Sequence, residues 1–283
     1  MEKVVFQGKA FRHIMNQKTV LQKSVPQETI SQENVVQETV GQETVFQEIA
    51  FQETVFHVHT FRCKHAENVP DEAYVKRALE LQAGDIWFTD HAPFPGNPFG
   101  LRMAYEELPE YLNTLTALRE KYAGQIRIHI GLEIEYFEQF ADYYRELYEE
   151  PRIELLLLGQ HMAAVAPDQY SFSLPKEELD EKEAEYLVRA LIQGMNTGYF
   201  QVCAHPDRSF RRKKEWTAEL EELSKKLIHV AQSNHVTLEH NLSSMRNLHQ
   251  YWEEFWALVP EGIPTIVGCD AHKVSDLRGQ ERE

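Results

Sequence analysis

FQETVFHVHTFRCKH, residues 51–65, joins two unlike halves. FQETV closes a run of five-residue blocks. The remainder is a short apolar strand ending in His57-Val58-His59, with His65 just beyond. An apolar run ending on histidine or carboxylate returns six more times: DIWFTDH (85–91), IRIHIGLE (126–133), IELLLLGQH (153–161), FQVCAH (200–205), VTLEHN (236–241) and PTIVGCDAH (264–272). With ETVFHVH (53–59) these are seven candidate strands. Amphipathic helical stretches are expected near 71–83, 105–122, 137–149, 176–197, 216–233 and 247–257.

Several strands are almost continuously hydrophobic, as parallel strands buried on both faces require. Seven strand–helix alternations make a closed β/α barrel more economical than an open doubly wound sheet. The phosphate loops such sheets often carry, GxGxxG and GxxxxGK[ST], are absent from the sequence. In a parallel barrel every strand delivers its carboxyl end to one side, where such enzymes build their sites. His57, His59, His91, Glu133, His161, His205, Asp270 and His272 therefore gather at one mouth with His65.

Taken singly, each residue has a structural reading: a hydrogen-bonded imidazole, a helix cap, an ion pair. Gathered together, buried imidazoles and carboxylates cost several kcal/mol per charged group unless cations compensate them. His57 and His59, two apart on a strand, project to one face and can reach one ion. Imidazole with carboxylate and no thiolate suits Zn, Mn or Fe. Cys63 and Cys269 read as packing residues. Histidines 13, 129, 229, 235, 240 and 249 read as structural.

Upstream, residues 6–55 fall into ten blocks of five, from FQGKA to FQETV. On a helix each block turns about 140° past the last, and in a strand the faces swap at every block, so neither element keeps an apolar face. The expectation for 1–52 is a disordered or weakly ordered polar tract, with a pentapeptide-repeat solenoid as the ordered alternative. Without the blocks the chain would read MEKVVFHVHTFRC, so the tract resembles an insertion ahead of a domain spanning 53–283.

The net charge of −16 argues against a nucleic-acid partner, which requires clustered Lys and Arg. It leaves room for a small phosphorylated metabolite. Three separated cysteines suit the cytoplasm, and neither a membrane span nor a signal-peptide core is present in the sequence. No feature of the sequence assigns an oligomeric state.

HVHTFRCKH, FTDHAPFPG, GLEIEYF, GQHM, AHPD and CDAH resemble the successive motifs of the polymerase and histidinol phosphatase (PHP) family, nearest its stand-alone histidinol-phosphatase branch. The resemblance spans about 53–278. It implies an α/β fold, a distorted (β/α)7 TIM-like barrel, with three divalent transition metals. By motif, His57, His59, Glu133 and Asp270 would hold one ion. Glu133, His161 and His205 would hold a second, and His65, His91 and His272 a third. Relatives usually carry a further helix where this sequence has eleven residues after His272.

Such a centre suits hydrolysis of a phosphate monoester, most directly L-histidinol phosphate in histidine biosynthesis, by a hydroxide bridging the metals. Another small phosphate ester is the alternative, followed by a nuclease-like or non-catalytic module. His205, His272 and Asp270 are the candidate catalytic groups, either histidine serving as proton donor to the leaving alkoxide. Arg102 and Arg208 are expected on the phosphate, with Arg211 and Arg212 as alternatives. Asp90 and Asp207 are expected to fix imidazole tautomers, or else to cap the helices that follow. Phe94, Phe99, Met103 and Tyr136 are candidate walls of the leaving-group pocket, with core packing the favoured role for Tyr136.

Overall fold

The structure, a computed structural model, describes residues 53–246 and 250–278. The repeat tract, 1–52, lies outside the described residues, and so does the start of the helix expected near 247–257. The elements are β1 (Glu53–Val58), α1 (Asp71–Glu80), β2 (Ala83–His91), α2 (Leu108–Lys121), β3 (Arg127–Ile134), α3 (Ala141–Glu149) and β4 (Leu155–Leu158). A hairpin of β5 (Ala164–Ala166) and β6 (Gln169–Tyr170) follows. Then come α4 (Lys176–Thr197), β7 (Val202–Cys203), α5 (Ala218–Ser233), β8 (Thr237–Asn241), α6 (Leu242–Met245), α7 (Glu253–Ala257) and β9 (Thr265–Gly268).

Seven strands pair in parallel in the order β1-β2-β3-β4-β7-β8-β9. The ring closes through the segment after β9. Cys269 N donates to Phe56 O at 2.8 Å, Ala271 N to His57 O at 3.0 Å, and His59 N to Ala271 O at 3.0 Å. The expected distorted seven-stranded barrel is the observed architecture.

Both sheet faces are buried, which explains the apolar strands. Phe56, Trp87, Leu155, Leu157, Val202, Ala204 and Ile266 fill the barrel interior. Their sequence neighbours Val55, Ile86, Phe88, Leu156, Leu158 and Cys203 face the helices in a larger core. The helices sit where amphipathic spacing placed them. Thr217 caps α5 by accepting from Leu220 N, and Gly198, in the left-handed region at φ 80°, ends α4.

Strict alternation fails at the end of β1. Phe56 packs in the interior, yet His57, the next residue, also points inward. The β1–β2 register shifts between Val55 and Val58, and His57 adopts φ 66°. This bulge turns His57 and His59 into the mouth while Val58 returns to the outer core. A non-glycine residue held there is strained by about 1–2 kcal/mol. His205 (φ 30°) and Asp270 (φ 48°) share the condition, so three inward-turned strand ends carry left-handed backbone.

At the opposite end of the barrel, His129 bridges Asp85 and Glu154 at 2.8 Å each and stacks on Trp87, its ring 4.1 Å away. This histidine is structural, as expected. The β5–β6 hairpin has no counterpart in the strand pattern of the sequence. The last expected helix is described only at Glu253–Ala257. Among the described residues no helix is long and apolar enough to cross a membrane.

Candidate metal centre

Glu133, at the end of β3, lies under the mouth and is 1% exposed. Five histidines from four strand ends surround its carboxylate. His57 Nε2 (3.4 Å), His59 Nε2 (3.5 Å) and His91 Nδ1 (3.1 Å) approach Oε2, while His161 Nε2 (3.6 Å) and His205 Nε2 (2.9 Å) approach Oε1. The carboxylate fits because residue 159 on the adjacent strand is glycine: a Cβ there would stand 2.5 Å from Glu133 Cδ.

Asp270 completes one side, its Oδ1 lying 3.3 Å from His59 Nε2 and 3.9 Å from His57 Nε2. On the outer side His65 Nε2 faces His272 Nε2 at 2.9 Å. All nine expected ligand residues thus reach one cluster. Within it, His57, His59 and Glu133 form one set with ligand atoms close enough for a single ion; His65, His91 and His272 form another, and His91, Glu133 and His161 a third. Cys63 adds a possibility the motif did not assign, since its sulfur shares such a set with His59 and His272. Burial pushes that thiol up to about 12, and its sulfur accepts from Ala66 N at 3.2 Å.

The distal nitrogens are held from behind. His57 Nδ1 donates to Glu239 Oε1 at 2.6 Å and His161 Nδ1 to Glu135 Oε1 at 3.1 Å. His65 Nδ1 donates to Cys63 O at 2.8 Å and His272 Nδ1 to Asp270 O at 3.1 Å. Asp90 Oδ1 stands 3.5 Å from His59 Nδ1, and Asp90 is itself fixed by Thr60. The four hydrogen-bonded arrangements, at His57, His161, His65 and His272, commit Nδ1 as donor and turn Nε2 inward.

Several inward atoms have nothing to bind. His57 Nε2, His59 Nε2 and Glu133 Oε2 are buried without a hydrogen-bond partner. Orphaned lone pairs at such density are costly, and a cation removes the cost. The donor set, nitrogen and oxygen with few thiols, fits a divalent transition metal.

The electrostatics agree. Burial disfavours charge throughout, yet neighbouring imidazoles hold Glu133 well below the usual carboxylate range, and Arg208 does the same for Asp270. Against the same burial, Glu239 and Glu133 raise His57, and the neighbouring Asp270 and Asp90 carboxylates raise His59 to about 9. Burial, then the Arg208 charge, pushes His205 down to about 4; burial, then His59, pushes His272 to about 3. Both directions suit an imidazole that presents a lone pair to a cation.

Other expectations change with the geometry. Arg102, expected on phosphate, lines the mouth, where Nη1 and Nη2 pair with both oxygens of Glu135 at 2.9 and 3.0 Å and Nη1 also bonds Ala92 O. It clamps the carboxylate that orients His161. Asp207 turns away from the histidines and accepts from Trp252 N and Trp256 Nε1. Phe94 and Met103 are fully buried core residues, and Tyr136 packs against that core; of the candidate walls only Phe99 lines the mouth. Arg208 also lines it, bonded to Asp270 Oδ2 at 2.8 Å, Asn241 Oδ1 at 3.2 Å and Ser244 Oγ at 3.1 Å.

Two orienting residues went unassigned in the sequence. Glu239 occupies a strand end like the ligands, yet besides His57 it takes His205 N and Asn241 Nδ2, each at 3.0 Å. Its inward position two residues before Asn241 was the available signal. Glu135 sits beside a ligand strand end in GLEIEYF, with nothing local to mark its partners.

Known proteins bear this out. The PHP domain family model matches residues 56–243. The "probable histidinol-phosphatase" of Deinococcus radiodurans is 26% identical over 235 residues, 78% of this chain and 86% of that protein. The histidinol-phosphatase of Bacillus subtilis is 36% identical over 92 residues, 30% of this chain and 34% of that one. Among solved structures, histidinol phosphate phosphatase from Lactococcus lactis, in complex with zinc, L-histidinol and phosphate, superimposes with TM-score 0.60 at 20% identity, covering 82% of this chain and 88% of that chain. At that identity the likeness carries the fold. Seven strand ends, nine ligand-type side chains and a family match over most of the barrel lead to one statement: the chain belongs to the PHP domain family.

Proposed function

We propose that this protein is a divalent-metal-dependent phosphate monoester hydrolase that converts L-histidinol phosphate to L-histidinol and phosphate. The observation that carries the reading is the ring of histidines around Glu133 with lone pairs aimed at common points. The curated relatives named above are called histidinol-phosphatases, and the Lactococcus lactis enzyme was solved with the two products and zinc.

His57, His59, Glu133 and Asp270 would hold one ion, Glu133, His161 and His205 a second, and His65, His91 and His272 a third. Divalent metal at such a site makes hydroxide available near neutral pH and offsets the charge of a phosphate. The protein's own part is positional. Glu239, Glu135 and Asp90 keep the ligand imidazoles in one tautomer. Arg208 spends Nε and Nη2 on Asn241, Ser244 and Asp270, which leaves Nη1 for a phosphate oxygen. The buried setting strengthens each of these contacts against the developing charge.

Residues 53–283 form the proposed catalytic unit, and 1–52 a tract that adds no group to it. Three buried, unpaired cysteines suit a reducing compartment such as the cytoplasm. The deciding experiment is a phosphate-release screen across metabolite monoesters, with elemental analysis of the same sample. L-Histidinol phosphate should lead the screen in a sample carrying Zn, Mn or Fe. A metal-loaded sample that ignores it sinks the assignment, and degradation of labelled oligonucleotide instead would favour the nuclease-like alternative.

A further inference from the structure

Above the histidines lies a cleft of about 570 Å³. Its floor is ionic, but its rim is formed by Phe99, Leu101, Met162 and Phe172. Among the described residues four large hydrophobic side chains stand exposed, and two of them, Leu101 (68%) and Phe172 (60%), belong to this rim. Leu101 is also held at φ 54°, a conformation unfavourable for a branched residue.

The rim is built, not frayed. Phe172 stacks on Tyr170 with centroids 5.7 Å apart and planes within 9°, and Tyr170 meets Phe99 edge-on at 4.8 Å. Phe99 packs on Phe137 in the core. Ser171 is pinned to Ala163 by two bonds, Ser171 N to Ala163 O at 2.8 Å and Ala163 N to Ser171 Oγ at 3.1 Å. The turn after the hairpin, Ser171–Ser173, thus holds Phe172 exposed above the floor. The carboxylates lining the cleft are already engaged, Glu135 by Arg102 and His161, Asp270 by Arg208.

Resting on the phosphomonoesterase reading above, we infer that this rim is the leaving-group site and takes a flat, ring-bearing alcohol by apolar contact rather than by charge. Phosphate monoesters of uncharged arylalkyl alcohols are therefore ligands and substrates alongside an imidazole-bearing one. Apolar pockets discriminate by about 10–200-fold per missing group, and ring-on-ring packing adds to buried area.

The test compares 2-phenylethylphosphonate with ethylphosphonate, neither hydrolysable at carbon–phosphorus, by calorimetric titration of the metal-loaded enzyme. kcat/KM for the matching phosphates gives a second readout. The ring-bearing probe should bind about tenfold more tightly. Phe172→Ala should erase most of that ratio, Leu101→Ala part of it, and Phe172→Tyr should restore it. Equal binding of the two probes, or a ratio unmoved in both alanine variants, overturns the inference even if L-histidinol phosphate is hydrolysed. A Phe172-dependent ratio in an enzyme inert toward L-histidinol phosphate upholds the rim and removes the substrate assignment instead.

Discussion

Gly268→Ala tests whether Glu239 positions the centre. The new methyl would stand 2.5 Å from Glu239 Cδ and nearer still to Oε1, where ordinary contact begins at 3.4 Å. Gly268 has no left-handed backbone that excludes alanine, so the conflict is with the carboxylate alone. Glu239 must retreat by about 1 Å, which lengthens its 2.6 Å bond to His57 to about 3.6 Å, beyond hydrogen-bonding range. The bond from His205 N is lost with it. His57 is then free to take the other tautomer or rotate, withdrawing a lone pair from the metal. Loss of such an orienting partner costs about 10–100-fold in metal affinity or activity. The assay is chelator competition on metal-stripped protein, followed by phosphate release at saturating metal, with a thermal melt to confirm folding. Wild-type metal affinity in folded Gly268→Ala would refute the argument, and Glu239→Gln, which keeps the shape but can accept through one oxygen only, should weaken affinity in the same direction.

Three further outcomes follow from the same geometry. His57→Ala should abolish hydrolysis of p-nitrophenyl phosphate with added Mn²⁺, leaving no more than about one part in a thousand of wild-type turnover; retained turnover would place the chemistry elsewhere. Excision of residues 6–55, which sets Lys3-Val4-Val5 where Glu53-Thr54-Val55 stand, should leave kcat unchanged, and a folded but inactive deletion would show that the tract takes part. Finally, His129→Gln should destabilise the barrel by about 1–3 kcal/mol. Against the cost of burial, hydrogen bonds to Asp85 and Glu154 raise His129 above 6.5, so its contribution is complete below 6.5 and is lost as pH rises through the raised value. Asp85 and Glu154 are lowered, again against burial, so theirs is lost as pH falls below the ordinary carboxylate range. The stability gap in urea titrations should be widest between about pH 5 and 6.5 and shrink toward alkaline pH; a gap that grows above pH 8 would contradict this.

The seven strands, and the residues ending them, were legible because parallel strands buried on both faces must be apolar until they reach the mouth. Phe56, Ile86 to Phe88 and Leu155 to Leu158 show that pattern without alignment. The same logic brought nine ligand-type side chains to one end, since a parallel barrel leaves no other place for its carboxyl ends. What local pattern could not show is which face a residue takes once alternation breaks. The bulge at His57 is set by pairing with β2 and by closure onto Cys269 and Ala271, both far away in sequence. The partners of Arg102 and Asp207 were hidden for the same reason. A charged side chain next to a ligand in sequence pairs with whatever carboxylate or indole the fold brings near it, here Glu135 and Trp256. Composition and periodicity thus determined the barrel and its metal-binding character, which follow from burial summed along each strand. Only tertiary structure decided the tautomer partners Glu239 and Glu135, the glycines that admit the carboxylates, and the aromatic rim, because these depend on distances between strands that no single strand encodes.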